Sequence, residues 1–198
     1  MEIIRETEGP DNIALVRPLR EVANTYRRQK LAEGRGIGSL RRALEIAQTS
    51  VDADPLTTAR VLRDIGDWYI AFSRVNYAGD EYRQAWHLLG RVEDGEAIRA
   101  RWFNEPNYVL REFPSSRGLA DAGDFGAVEG FVRVTFDVDE YGGPQNVTVL
   151  ESEPPGFKDD TMVRAIRRSR FRPRVIDGEV VYSTGLIRNF TFHYEPEE

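Results

Sequence analysis

The stretch that most constrains the fold is Gly130-Phe-Val-Arg-Val-Thr-Phe-Asp-Val138, an alternation of apolar and polar residues that fits a strand and no helix. Val132, Val134, Phe136 and Val138 point to one side, Arg133, Thr135 and Asp137 to the other. Asp139-Glu-Tyr-Gly-Gly-Pro144 predicts a turn, its glycines free to take φ > 0, and a second strand follows over Asn146-Val-Thr-Val-Leu150. Ser152-Glu-Pro-Pro-Gly-Phe157 breaks the sheet. Asp159, Asp160 and Thr161 suit the N-terminus of a helix with Met162, Val163 and Ile166 on its apolar face. That helix must end before Phe171-Arg-Pro173, because the residue preceding a proline is pushed out of the α region. Asp177-Gly178 turns the chain again. Val180 to Tyr194 then reads as a long final strand carrying Phe190, Phe192 and Tyr194 on one face. The predicted order is β-β-α-β, an α+β domain with an antiparallel three-stranded sheet.

This order resembles the C-terminal domain of the TonB family of periplasmic energy transducers. The marks that carry the resemblance are the Asp-containing glycine turn, Ser152-x-Pro154 followed by Phe157, Ala165, Phe171-x-Pro173, Gly178 and the closing Phe190-x-Phe192. The resemblance implies a periplasmic location, a membrane anchor upstream in a longer parent chain, and a protein partner such as an outer-membrane transporter. It further implies that the last strand lies at a sheet edge and accepts an extended peptide through Leu186, Ile187, Arg188, Asn189, Phe190, Thr191 and Phe192. Two alternatives stay open at that edge: cover by a second copy of the chain, as in a homodimer, or cover by the N-terminal part.

The N-terminal hundred residues carry a helical period. Ala14 to Gln29 aligns Leu15, Leu19, Val22, Ala23 and Tyr26 on one stripe after the start signal Pro10-Asp11-Asn12. Gly34-Arg-Gly-Ile-Gly38 reads as a break and Ser39 as a cap, with a second helix over Leu40 to Ala47. Asp54-Pro55 opens a third with Leu62, Ile65, Gly66, Tyr69 and Ile70 inward, and Tyr82 to Leu89 forms a fourth. Leu19-Arg-Glu-Val-Ala-Asn-Thr-Tyr26 matches Leu62-Arg-Asp-Ile-Gly-Asp-Trp-Tyr69, and Leu40-Arg-Arg-Ala43 matches Tyr82-Arg-Gln-Ala85. Helix pairs recurring at this spacing mark a helical repeat array. Leu62, Ile65-Gly66, Tyr69, Ala78, Tyr82 and Ala85 resemble the tetratricopeptide pattern, so residues 1–103 are expected to be an all-α repeat domain. Gly95 to Phe103 would cap it through Ala97, Ile98, Trp102 and Phe103. Residues 104–125 lose periodicity and read as a connector, packed through Tyr108, Leu110 and Phe113, and 126–198 is the TonB-like domain.

By the tetratricopeptide resemblance, the repeat groove would be lined by Arg17, Arg20, Asn24, Arg27 and Arg28, then by Arg60, Arg63 and Asp67. This predominantly positive lining would suit an acidic segment, unless the arginines are taken by neighbours such as Glu21 and Asp64. A further run, Arg164, Arg167, Arg168, Arg170, Arg172 and Arg174, reads as charge complementing a helix C-terminus.

Charge and motifs narrow the function classes. The net charge is −6 and neither part is basic, which argues against nucleic acid as a partner. The chain has no cysteine, so thiol chemistry and disulfides are out. No apolar run approaches the roughly 20 residues that span a bilayer. The two histidines, His87 and His193, have no clustered partners, so no metal site is expected. Gly34-x-Gly36-x-Gly38 follows no strand and does not support dinucleotide binding. No nucleophile is paired with a base. The sequence therefore points to a non-enzymatic binding protein without a cofactor, and the alternative to a transducer is a scaffold whose TonB-like domain serves dimerisation or docking.

Overall fold

Asn12 and Asp54 open helical segments through their side chains: Asn12 accepts the Ala14 N–H at the 3-10 turn Ile13–Leu15 that leads into the first α-helix, and Asp54 accepts the Thr57 N–H, each at 2.8 Å. The computed structural model describes Gly9 and residues 11–29, 33–112 and 128–194. Phe113, part of the expected connector packing, lies outside them. Among the described residues the N-terminal part holds helices α1 (Val16–Arg28), α2 (Glu33–Thr49), α3 (Pro55–Ala71), α4 (Ala78–Leu89) and α5 (Gly95–Phe103). Residues matched along the sequence take matched places: Leu19 and Leu62, Ala23 and Gly66, Leu40 and Tyr82, Ala43 and Ala85 are all buried. The α1–α2 core centres on Leu19, Leu40, Ile65 and Trp68, and the α3–α4 core on Leu62, Tyr82, Leu89 and Phe103. Helix α5 closes the second core with Trp102 and Phe103, while Ala97 faces solvent.

The expected break at Gly34–Gly38 is not there. Helix α2 begins at Glu33 and runs straight through the three glycines, and Ser39 donates back to the Arg35 carbonyl instead of capping. The reason is steric. A Cβ on Gly36 would sit 1.9 Å from the Trp68 ring, so the glycine makes room for a buried tryptophan that stacks on Phe72. Local helix propensity loses to tertiary packing.

On α4, Glu81 is half buried beside Asp80, and desolvation together with the Asp80 charge pushes its carboxyl up to about 7, against the weaker pull of Arg41. An acid whose folded pKa is raised stabilises the fold below its unfolded value and loses that contribution as pH climbs through the folded one. Glu81→Gln is therefore expected to match the wild type near pH 4.5 and to gain thermal stability over it as pH rises through about 7. Melting curves across that window test this; a pH-independent difference would refute it.

The C-terminal part is built from strands β1 (Asn107–Leu110), β2 (Val128–Val138) and β3 (Pro144–Glu153), helix α6 (Asp159–Arg168), and strands β4 (Arg170–Arg172), β5 (Arg174–Ile176), β6 (Glu179–Val181) and β7 (Ser183–Tyr194). The main sheet is three-stranded and antiparallel in the order β3-β2-β7. Val132, Val134, Phe136 and Val138 form its buried face with Met162 and Ile166 of α6 packed over them. Three expectations are corrected here. The residue before α6 is Lys158 at φ 64°, which makes no side-chain cap, while Asp159 and Asp160 place their charge in the first turn. Val180 belongs to a separate short hairpin, β5–β6, not to the final strand. The stretch read as connector contains β1, which pairs with β4 and sets the Tyr108 ring against Phe171, tilted, with centroids 4.5 Å apart.

The two parts share a core. Val175 of β5 is 2% exposed and Val180 of β6 is partly buried, and both pack among the helical residues Leu62, Tyr82, Trp102 and Phe103. The tip of the β2–β3 hairpin also lies on helix α3, where a Cβ on Gly142 would stand 3.2 Å from the Ile70 methyl.

Candidate functional site

Strand β7 is paired along one side only. Its register with β2 runs from Val128↔Tyr194 to Val138↔Ser183, and no described strand lies on its other side. Leu186, Arg188, Phe190 and Phe192 turn inward, the last packed against Phe157, while Ile187, Asn189 and Thr191 face solvent. Across the outer face Arg133 of β2 bridges both neighbours, donating to Glu151 at 2.8 Å and to Asn189 at 3.1 Å. Such a cross-strand ladder fixes the register of an otherwise exposed surface.

Near its start β7 carries a bulge. Leu186 opposes Phe136 and Ser183 opposes Val138, so Thr184 and Gly185 together face Asp137. Gly185 has φ +67° and donates its N–H to the Asp137 carboxylate at 2.9 Å. The Asn146 amide, the Gly185 N–H and the Tyr182 hydroxyl also hold that carboxyl below the usual carboxylate range. Beside the bulge a cavity of about 480 Å³ opens between the start of β7 and the α5–β1 turn, with Glu105, Pro106, Arg174, Ser183, Ile187 and Arg188 in its wall.

The eight residues expected to line the repeat groove divide into two sets. Arg20 and Arg63 both pair with Asp64, at 2.7 and 2.8 Å, and Arg63 also lies 4.2 Å over the Trp102 ring. Arg27 reaches Asp67 at 3.4 Å. The side chains of Arg17, Asn24, Arg28 and Arg60 form no hydrogen bond or ion pair among the described residues. Asp67 is 4% exposed, and its main partner comes from the other half of the chain. Arg172 of β4 grips it with Nε at 2.8 Å and one Nη at 2.7 Å, and gives its other Nη to the Trp102 carbonyl at 3.1 Å. Tyr82 donates its hydroxyl to the same carboxylate at 3.0 Å.

Burial alone would push Asp67 up and Arg172 down. Their mutual attraction outweighs it, with Arg27 and Arg63 adding to the pull on Asp67, so the carboxyl lies below its ordinary range and the guanidinium above its own. Tyr82 is driven well above its usual value, by burial first and the Asp67 charge second. Asp67 and Arg172 thus form an ionised clamp between the two parts, with Tyr82 held neutral beside them.

Arg172 was read from sequence as one of six arginines serving a helix C-terminus. Only Arg164, Arg167 and Arg168 lie on the helix; Arg170, Arg172 and Arg174 belong to β4 and β5. The place of Arg172 between Phe171 and Pro173, past the end of the helix, was the available signal. Its partner 105 residues upstream was not.

The matched segment coincides with the sheet just described. Residues 126–194 match the family model of the Gram-negative bacterial TonB protein C-terminal. The match takes in the described residues from β2 through β7, helix α6 included, and leaves helices α1 to α5 and strand β1 outside. No curated protein matches the chain. The C-terminal part is therefore a TonB-like domain, and it suggests a periplasmic protein-interaction role. Among the described residues no cluster of metal-ligating side chains occurs, and no helix is long and apolar enough to cross a membrane.

Proposed function

We propose that the chain is a non-enzymatic interaction module of a periplasmic TonB-like transport system. A partner peptide adds as an extended strand along β7, over Leu186 to Phe192, and a helical array of tetratricopeptide type carries the TonB-like domain. The observation that carries this reading is the coincidence of the family match with a sheet whose last strand has, among the described residues, no strand on its outer side. Free N–H and C=O groups along such an edge supply affinity to a main chain laid beside them, and the alternating side chains supply register. The exposed Arg17 and Arg28 and the half-buried Arg60 leave the array a positive surface for a second, acidic partner.

The absence of cysteine makes the test clean. A single cysteine placed at Ile187, which is 49% exposed, carries a photocrosslinker on the edge strand. In a Gram-negative envelope preparation, the expected adduct is an outer-membrane transporter. Absence of any protein adduct at this position, with crosslinks forming from a control cysteine at Arg17, would overturn strand addition.

One observation favours a second reading, a scaffold in which the TonB-like domain serves docking. The Asp67–Arg172 clamp already docks that domain onto the repeats within the same chain. Adducts at Ile187 solely with a second copy of the chain would decide for it.

A further inference from the structure

Two buried polar groups beside the β7 edge have no partner among the described residues, and the residues that carry them line the same cavity. Ser183 is 3% exposed and its Oγ forms no hydrogen bond; the Nε of Arg174 is buried and equally unsatisfied. Native structures leave few such groups, because each costs the desolvation of a polar atom with nothing in return. Arg174 forms no ion pair among the described residues, although Glu105 lines the same cavity, and Arg188 brings a second guanidinium whose Nη donates to the Ile187 carbonyl. The cavity wall therefore holds two cations against one carboxylate. A guanidinium Nε can only donate and a serine hydroxyl donates readily, so the missing partner is an acceptor. The bulge at Thr184 and Gly185 sits where the edge passes this cavity, a usual place for a strand to re-aim its side chains beside a site.

We infer that this cavity receives a carboxylate of the peptide that adds to β7, held by the Ser183 hydroxyl and the Arg174 guanidinium. The inference rests on strand addition at β7 and adds to it a position-specific demand: the incoming strand carries an acidic side chain, or its own C-terminal carboxylate, level with residues 183–188. Glu105 tunes the site, since its charge opposes the ligand's and limits the pocket to ligands that also gain main-chain pairing.

The test uses the whole chain and three seven-residue peptides. Two are N-acetylated and C-amidated alternating Thr–Val peptides with Glu or Gln at the centre, and the third is the Gln peptide with a free C-terminal carboxylate. Binding is followed by the amide resonances of β7 and by the Arg174 side-chain Nε–H resonance. A carboxylate is expected to bind about tenfold tighter than its amide counterpart, the scale of a charge-assisted hydrogen bond, and to shift the Arg174 resonance. Whether the Glu peptide or the free-terminus peptide shows this gain tells a side chain from a chain end. Arg174→Gln and Ser183→Ala should each erase the preference while leaving binding of the amidated Gln peptide unchanged. Equal affinities, with β7 resonances shifting for every peptide, would overturn the pocket and leave strand addition standing. No shift along β7 with any peptide would overturn both, and a preference that survives both substitutions would overturn the pocket alone.

Discussion

Arg172→Ala is expected to destabilise the protein by about 3–5 kcal/mol, the range for removing one partner of a buried ion pair. The loss leaves the Asp67 carboxylate, 4% exposed, with the Tyr82 hydroxyl and a long contact to Arg27, and leaves the Trp102 carbonyl with the 3.4 Å contact from the Asn107 amide. The comparison that isolates the charge is the double variant Asp67→Leu/Arg172→Met, in which two apolar chains fill the space. Replacing a whole buried pair costs little, so the double variant should be markedly more stable than Arg172→Ala, and a double-mutant cycle should give a coupling of at least about 1 kcal/mol. Urea unfolding measures both. The pH dependence has a definite sign. In the wild type the depressed Asp67 pKa stabilises the fold above the unfolded carboxylate value and is lost as pH falls through the lower folded one. Without Arg172 the buried carboxyl gains by taking a proton, so the gap between variant and wild type should narrow as pH falls toward about 4, and further below that as the wild type loses its own contribution. A loss under 1 kcal/mol at neutral pH would show the clamp to be incidental.

Gly142→Ala carries the second largest expected effect, about 3 kcal/mol, from a conformation that L residues avoid and from a clash with backbone. Gly142 sits at φ +78°, and an added Cβ would lie 2.0 Å from the Phe171 carbonyl oxygen and 3.2 Å from the Ile70 methyl. The hairpin tip cannot back away cheaply, because the Phe171 N–H donates to the Gly142 carbonyl at 3.0 Å. Gly143→Ala is the matched control. Its nearest obstacle is the end of the Asp139 side chain, at 2.9 Å, and its φ is ordinary. Equal losses for the two variants would mean that the seat of the hairpin against β4 and α3 does not matter.

These sites differ in how far the sequence disclosed them. The β2 alternation from Val132 to Val138 named both the strand and its buried face, because a period of two is local information. Asp54-Pro55 named a helix start for the same reason. Gly36 was misread since its role is set by Trp68, a residue 32 positions on whose ring needs the space. Strand β1 went unseen because four residues give too short a pattern, and its identity comes from pairing with β4. The arginines of the expected groove were legible as a positive set, yet their distribution was not: Asp64 takes two of them, and Asp67 is claimed from β4. The β7 edge followed from family resemblance and strand order. The Ser183–Arg174 cavity depends on a bulge and on the α5–β1 turn, neither of which has a sequence signature of its own.

The seating of the β2–β3 hairpin on α3 also has a mechanical consequence. A tug on a strand bound along β7 would pull lengthwise on β7, and the rungs joining it to β2 lie across that direction and share the load in parallel. From β2 the tension would reach the hairpin tip at Gly142, braced against Ile70, and the β4 anchor at Arg172, braced against Asp67. Both braces stand on the same helix, α3. That helix is the bearing on which the whole TonB-like domain would strain.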